Sequence, residues 1–407
     1  GCDGADGVSA RAAKGRAVVI ASRLFVPEVS AGAFRLGALA RGLRGRGAAV
    51  TVVTTTPPAH APRVPDPIDV DVRRLPVLRD RGGNVRGYVQ YASFDAPLLF
   101  RMLFRRWDAA VAESPPTTAL VVRAAAALRR RRYVYYAADV WTDGVIAMGA
   151  AKPVVSLMRA MERAALRGAA RILSVSAEVT ERLVGLGADP RRIATIGNGI
   201  DTEVFSPDAV PPEPDERYFV YTGTMSEWQQ PDVFIRAFGL IADEFPDLRL
   251  RFFGQGAVEG ELRTLAERLV PGRVVFGGVV DPSRSAAWIR GAVAALVSIA
   301  PGIGYDFARP TKTYAAAACG TPVLFAGAEV GGALVRDARL GEATAFDPEA
   351  VAAAMRRLLA EAASGESERL RSSRAGWARE HVSLTAVGDR AATAVLDVLS
   401  GGDEAAS

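Results

Sequence analysis

Short apolar runs alternate with stretches of helical periodicity along nearly the whole chain, and that order narrows the fold more than any single motif. The plainest instance is residues 296–325, LVSIAPGIGYDFARPTKTYAAAACGTPVLF. Its first apolar run ends at Pro301 and Gly302. Pro310 opens a helical segment over 311–319, Gly320 and Pro322 stop it, and a second apolar run follows at once. Strand, loop, helix and strand in that order make the βαβ unit of parallel sheets. The loop and helix start of such a unit face the carboxyl ends of the strands, where open α/β sheets bind ligands. Lys312 stands at that helix start, one of three lysines beside Lys14 and Lys152. A cation there opposes the helix dipole at a cost of about 0.3–1 kcal/mol unless an anion is near. Lys312 therefore reads as a phosphate ligand, with a plain surface position as its alternative.

The same pattern opens the chain. Residues 17–20 and 50–54 read as strands on either side of a helix over 34–47, where Phe34, Leu36, Leu39 and Leu43 fall at helical spacing. Ser30, Ala31 and Gly32 lie in the loop before it, where backbone N–H groups can meet an anion. Further strands are expected at 70–75, 109–111, 133–136, 172–175 and 193–196, and Gly197, Asn198 and Gly199 form a turn. Residues 206–217, SPDAVPPEPDER, have the proline-rich, acidic composition of a linker. Beyond them the alternation restarts, with strands at 218–221, 248–253, 274–276, 296–300 and 322–325, and helix from 370 to 399. The expectation is two α/β domains in tandem, each on a parallel sheet. Residues 1–16 would be a mobile tail, 17–205 the first domain, 206–217 the linker and 218–370 the second domain. Residues 371–407 would form a C-terminal helix returning toward the first domain, and a tail.

Composition removes several classes. No run approaches the roughly 18 apolar residues of a membrane-spanning helix, and residues 1–16 lack the apolar core of a secretory signal. Two cysteines, Cys2 and Cys319, argue for a reducing compartment and against a zinc site or disulfide framework. His60 and His381 are too few for a histidine-rich metal site. Residues 1–205 hold 30 Lys/Arg against 18 Asp/Glu, while 206–407 hold 20 against 27. A basic first half suits an acidic partner such as a membrane surface or a phosphate-bearing acceptor; a general preference for arginine is the alternative. Residues 98–107, LLFRMLFRRW, read first as a core helix with a solvated arginine face and second as a peripheral-membrane helix. The four-arginine run at 129–132 reads as a solvated helix end.

Six landmarks then recur in a familiar order: FVPEVSAGAFRLGALARGLRGRGAAVTVVT, ESPPT, AADVWTDG, ILSVSAEVTERLVGLGADPRRIATIGNGIDTEVFSP, YTGTMSEWQQPDVFIRAF and RPTKTYAAAACGTPVLF. Together they resemble the retaining glycosyltransferases of the GT-B fold, family four (the group 1 type), in a bacterial branch that builds polysaccharides and glycolipids. The resemblance implies two Rossmann-like parallel-sheet domains facing across a cleft. The first would take the acceptor and the second a nucleotide-diphosphate sugar, for cell-envelope glycan or glycosylated natural-product assembly. It also implies no metal or other cofactor and no nucleic acid. The acceptor would be a lipid-linked sugar, a glycan or a small molecule. The setting would be cytoplasmic, with peripheral contact at the inner face of the membrane. On the donor side it points to Gly223, Thr224, Gln229, Arg309, Pro310, Thr311, Lys312 and Tyr314; on the acceptor side, to Ser30, Ala31, Gly32, Asn198 and Gly199. Lys312 and Asp139 are the catalytic candidates; Asp139 reads equally as a helix cap. Trp228 reads as packing its loop, with stacking on a ring as the alternative.

The chain departs from that family at four charged positions. The Arg and Lys expected on the first loop of the second domain stand as Thr224 and Gln229, and two expected glutamates stand as Phe307 and Ala315. Lys312, and next Arg309, are the expected replacements for the cationic grip. The departures also motivate a rival, a family member without catalysis that serves as a binding or scaffold protein. A GT-B epimerase is a further alternative, for which the chain supplies few of the needed carboxylates and histidines.

Overall fold

The computed structural model describes residues 15–28, 30–58, 65–79, 85, 87–147, 149–213, 215–302 and 310–400. The chain forms two compact units, Gly1–Asn198 with Leu384–Ser407, and Gly199–Ser383.

In the first unit the described strands are β1 (Ala17–Ala21), β2 (Ala49–Thr55), β3 (Val70–Leu75), β4 (Ala109–Glu113), β5 (Arg132–Ala137), β6 (Arg171–Ser174) and β7 (Ile193–Thr195). They pair in parallel in the order β3-β2-β1-β4-β5-β6-β7. Between them run α1 (Ala31–Gly45), α2 (Tyr88–Phe104), α3 (Pro116–Leu128), α4 (Trp141–Ala147), α5 (Lys152–Gly168) and α6 (Ala177–Gly185). AVVIA is apolar throughout, and AAVAE is buried throughout with Glu113 its single charged residue, because both sheet faces are covered by helices. Alternate side chains divide between two cores. Val18, Ile20, Val111 and Val134 pack with Leu36, Leu39 and Leu43 of α1, while Val19, Ala110, Ala112 and Tyr135 pack with Phe94 and Leu98 of α2 and Val122 of α3. The first helix begins three residues before the expected position because Ser30 caps it, its Oγ accepting from the Ala33 N–H at 3.1 Å.

The second unit holds β8 (Tyr218–Thr222), β9 (Arg249–Phe253), β10 (Val274–Phe276), β11 (Ala294–Ser298), β12 (Val323–Ala326) and β13 (Gly341–Thr344), parallel in the order β10-β9-β8-β11-β12-β13. Its helices are α7 (Asp232–Ile241), α8 (Glu259–Leu269), α9 (Pro282–Gly291), α10 (Thr311–Ala318), α11 (Glu329–Asp337), α12 (Pro348–Ala363) and α13 (Glu366–His381). The α11–β13 pair escaped the sequence pattern because GEAT, the β13 stretch, has no apolar run.

Two boundaries differ from the sequence expectation. The chain passes between units at Asn198 and Gly199, and the proline-rich stretch at 206–217 belongs wholly to the second unit. Phe205 and Ala209 pack on that unit's core, and Arg290 Nε donates to the Pro207 carbonyl at 2.6 Å. Proline and acidic residues mark irregular backbone there, while apolar anchors on either side hold it down. The single helix expected over 370–399 is two, α13 and α14 (Leu384–Ser400), assigned to different units. At the break, Ile200 N donates to the Val382 carbonyl at 2.8 Å, and Ile200 pairs with Ser383. In the first unit α14 lies on α1 closely enough that a Cβ on Gly388 would stand 2.5 Å from the Ala38 carbonyl oxygen. Among the described residues no helix is long and apolar enough to cross a membrane.

Candidate functional site

In the second unit the strand order reverses between β8 and β11, and the crevice beyond their carboxyl ends is where such sheets bind ligands. A cavity of about 540 Å³ opens there, lined by Thr222, Gly223, Thr224, Gln229, Pro310, Thr311, Lys312 and Ala315 among others. Among the described lining residues Lys312 is the only charged one, and none is a carboxylate. Its ammonium donates to the Tyr221 hydroxyl (2.8 Å), Gln229 Oε1 (3.0 Å) and, at 3.4 Å, the Thr224 carbonyl. It also lies 4.2 Å from the centre of the Tyr221 ring. The side chain is half-buried, and desolvation lowers the ammonium to about 7.

Thr224 and Gln229 are the two positions where the expected loop cations are missing, and both hold the Lys312 ammonium. The positive charge has moved from the loop after β8 to the start of α10 and points back to the same place. Gly223 makes room for it. The residue has φ +108°, and a Cβ would stand 3.0 Å from Lys312 Cε. Pro310 precedes α10 and no side chain caps that helix, so the N–H groups of Thr311 and Lys312 lack intrahelical acceptors beside the cavity. Tyr221, whose phenol burial raises strongly, was invisible as a partner in the sequence because it lies 91 residues away.

The other donor-side candidates separate. Pro310 and Thr311 line the cavity with Lys312, whereas Tyr314 is half-buried on α10 outside its lining. Arg309 and Phe307, like His60, lie outside the described residues. Ala315 lines the cavity, so the wall offers a methyl group where a glutamate was expected. Trp228 packs against the core and its carbonyl accepts from Ala300 N at 2.9 Å, and the residue also lines the cavity.

In the first unit the order reverses between β1 and β4. Glu113 ends β4 fully buried and accepts from Ser22 Oγ at 2.5 Å across that point. Arg35 of α1 stands 3.9 Å from the same carboxylate and donates to Asn198 Oδ1 at 3.3 Å. Burial pushes the Glu113 carboxyl up, against the pull of Ser22, Arg35 and Arg23. Gly32 is pressed on this group: a Cβ there would meet Glu113 Oε1 at 2.9 Å. Thus Ser30 caps α1, Gly32 lies against a buried acid the sequence had not singled out, Asn198 reaches that acid only through Arg35, and Gly199 falls in the other unit. Asp139 is exposed and does not cap α4. That task belongs to Glu162 of α5, which accepts from the N–H groups of Trp141 and Thr142 (2.9 Å each) and from Thr142 Oγ1 at 2.6 Å.

A second cavity in the second unit, of about 580 Å³, lies between α7 and α8. It mixes Glu227, Asp232 and Glu261 with Arg236 and Arg268, and Arg236 already pairs with Asp232 at 3.0 Å. Its three carboxylates outnumber its two arginines, so it lacks the uncompensated positive charge of the Lys312 site.

Residues 31–199 match the family described as Glycosyl transferase 4-like domain, and residues 216–361 match Glycosyl transferases group 1. Among curated proteins, D-inositol 3-phosphate glycosyltransferase 2 of Catenulispora acidiphila is 32% identical over 208 residues, 46% of this chain and 47% of that protein. The chain spans about half the length of the curated relatives it matches. Sucrose-phosphate synthase of Thermosynechococcus elongatus superposes with TM-score 0.60 at 17% identity, covering 96% of this chain and 100% of that one. HepE of Anabaena, solved with UDP-glucose, superposes with TM-score 0.55 at 15% identity over 92% of this chain and 98% of that one. At such identities the likeness to solved structures fixes the fold.

Proposed function

The chain belongs to the group 1 glycosyltransferases, with a Glycosyl transferase 4-like domain ahead of a group 1 domain, and we propose that it moves a sugar from a nucleoside-diphosphate sugar to an acceptor hydroxyl with retention of anomeric configuration. Lys312 carries the assignment. Its ammonium faces the switch-point cavity with three neutral acceptors and no described carboxylate in the wall. A diphosphate supplies the missing opposite charge, and the uncapped N–H groups of α10 add donors for its oxygens.

In the retaining route the acceptor oxygen bonds to the anomeric carbon on the face the diphosphate leaves. The carbon–oxygen bond to the diphosphate breaks, its electron pair stays on the diphosphate, and the acceptor proton passes to a diphosphate oxygen. The protein's task is to hold the reactants and the charge that develops on the leaving group. Lys312 takes that charge, Tyr221 and Gln229 aim Lys312, and Asp139 serves the acceptor on the first unit. The donor is neutralised by these protein groups without a metal ion.

HepE was solved with UDP-glucose, with UDP and glucose, and with UDP, which supports a uridine diphosphate sugar as the first donor to try. The relatives named D-inositol 3-phosphate glycosyltransferase support a phosphorylated cyclitol as the first small acceptor, beside a lipid-linked sugar or a glycan. The setting we propose is cell-envelope glycan or glycosylated natural-product assembly. A binding protein without catalysis is the second reading, favoured by Thr224, Gln229 and Ala315 at positions where charged groups were expected. Thermal shift with UDP-, GDP- and TDP-sugars, followed by diphosphate release with acceptor, separates the two. Stabilisation without turnover selects the binding protein, and no stabilisation by any nucleotide overturns the donor site itself.

A further inference from the structure

The apolar, basic stretch at 98–107 and the arginine run at 129–132 lie far apart in sequence, and the fold sets them side by side. α2 packs along α3, and at their ends the Arg129 guanidinium donates to the Leu103 carbonyl at 2.5 Å and lies 5.9 Å from the Trp107 ring centre. Phe94, Leu98, Met102 and Trp107 are buried in the core, as an ordinary core helix requires. The opposite face of α2 carries exposed aromatic rings beside the expected solvated arginines. Phe100 and Phe104 are 67% and 74% exposed, with ring centres 4.6 Å apart, and Leu128 at the end of α3 is 72% exposed.

A helix gains nothing for its own core from two phenylalanines on its outer face, so the pair calls for a partner. The charge around it says which. Residues 96–107 and 121–132 hold eight arginines and no Asp or Glu. Arg101, Arg106 and Arg130 are exposed, and none of the three forms an ion pair with another described residue. A second copy seated here by two-fold symmetry would set one arginine rim against another. Phosphate headgroups around a shallow apolar interior match both the rim and the aromatic pair.

We infer that the exposed face of α2, with Phe100 and Phe104 at its centre and Arg101, Arg106 and Arg130 around it, docks the first unit on an anionic bilayer surface. The aromatic rings enter the headgroup–acyl boundary and the guanidiniums bind lipid phosphates. This goes beyond sugar transfer and stands without it, because docking needs neither donor nor acceptor.

Co-sedimentation of the full chain tests it, with vesicles of phosphatidylcholine alone and of equal parts phosphatidylcholine and phosphatidylglycerol. The expected result is binding to the anionic vesicles only, falling steeply as salt is raised. F100S/F104S should weaken it about tenfold or more, and R101E/R106E should do the same, both with unchanged melting temperature because all four side chains are exposed. Wild-type protein that ignores anionic vesicles overturns the inference, as does a double serine variant that binds like wild type. A dimer by sedimentation velocity that F100S/F104S abolishes would reassign the face to self-association.

Discussion

Replacing Lys312 tests the donor site most sharply, because its two consequences run in opposite directions. The ammonium has neutral partners and is lowered to about 7 by desolvation. Over the window from about 7 to 10.5 the unfolded chain therefore binds more protons at this residue than the folded one. Its contribution to stability is least favourable below that window and improves as pH rises through it. A bound diphosphate favours the protonated form, so binding takes up a proton. Affinity for a nucleotide sugar should fall about tenfold per pH unit above about 7, or about 1.4 kcal/mol per unit, until the pKa of the complex is reached. Lys312→Gln should lose roughly 10- to 150-fold at about pH 6, from the 1.5–3 kcal/mol of a hydrogen bond to a charged group, and its remaining affinity should not slope with pH. Lys312→Arg keeps its charge throughout and should bind with no such slope. Isothermal titration with a UDP-sugar, whose capped diphosphate has no titrating oxygen in this range, measures the affinity. Repeating it in buffers of different ionisation heat counts the proton. The glutamine variant should melt no lower than wild type, since a poorly solvated charge has been removed. A flat wild-type pH profile, or wild-type affinity in the glutamine variant, would refute the assignment.

Other expectations are structural or chemical. Gly388→Val places a Cβ 2.5 Å from the Ala38 carbonyl oxygen. By overpacking it should cost the first unit about 1–3 kcal/mol, read as an earlier urea transition of that unit alone. Glu162→Ala strands the donors of Trp141 and Thr142. It should destabilise by roughly 1–3 kcal/mol for each donor left buried and unpaired, with amide exchange accelerated at the start of α4. Diphosphate release should continue after exhaustive chelation of divalent ions; loss restored by magnesium would assign the charge neutralisation to a metal instead.

Much of the architecture was legible because it is written locally. Strands β1, β2, β8 and β10 through β12 coincide with short, mainly apolar runs, and α10 begins where Pro310 fixes φ and ends before Gly320. The failures are equally specific. β13 lacks an apolar signature, the linker composition at 206–217 did not mark the passage between units, and the helix expected over 370–399 breaks where Ile200 meets Val382.

Within the candidate site, the amino-acid order by itself determined that a lysine stands at a helix start beyond a strand of a parallel sheet, and that the loop cations and one cavity-facing glutamate are absent. Only the tertiary structure decided what those substitutions do. Thr224 and Gln229 turn out to cradle the ammonium of Lys312, 88 and 83 residues away, and Ser22 meets Glu113 across the reversal of the other sheet. In the same way, residues 98–107 and 129–132 became one basic, aromatic face. Periodicity and turn chemistry act over a few residues and show in sequence, whereas a charge finds its partners through the packing of strands and helices that chain order alone leaves distant.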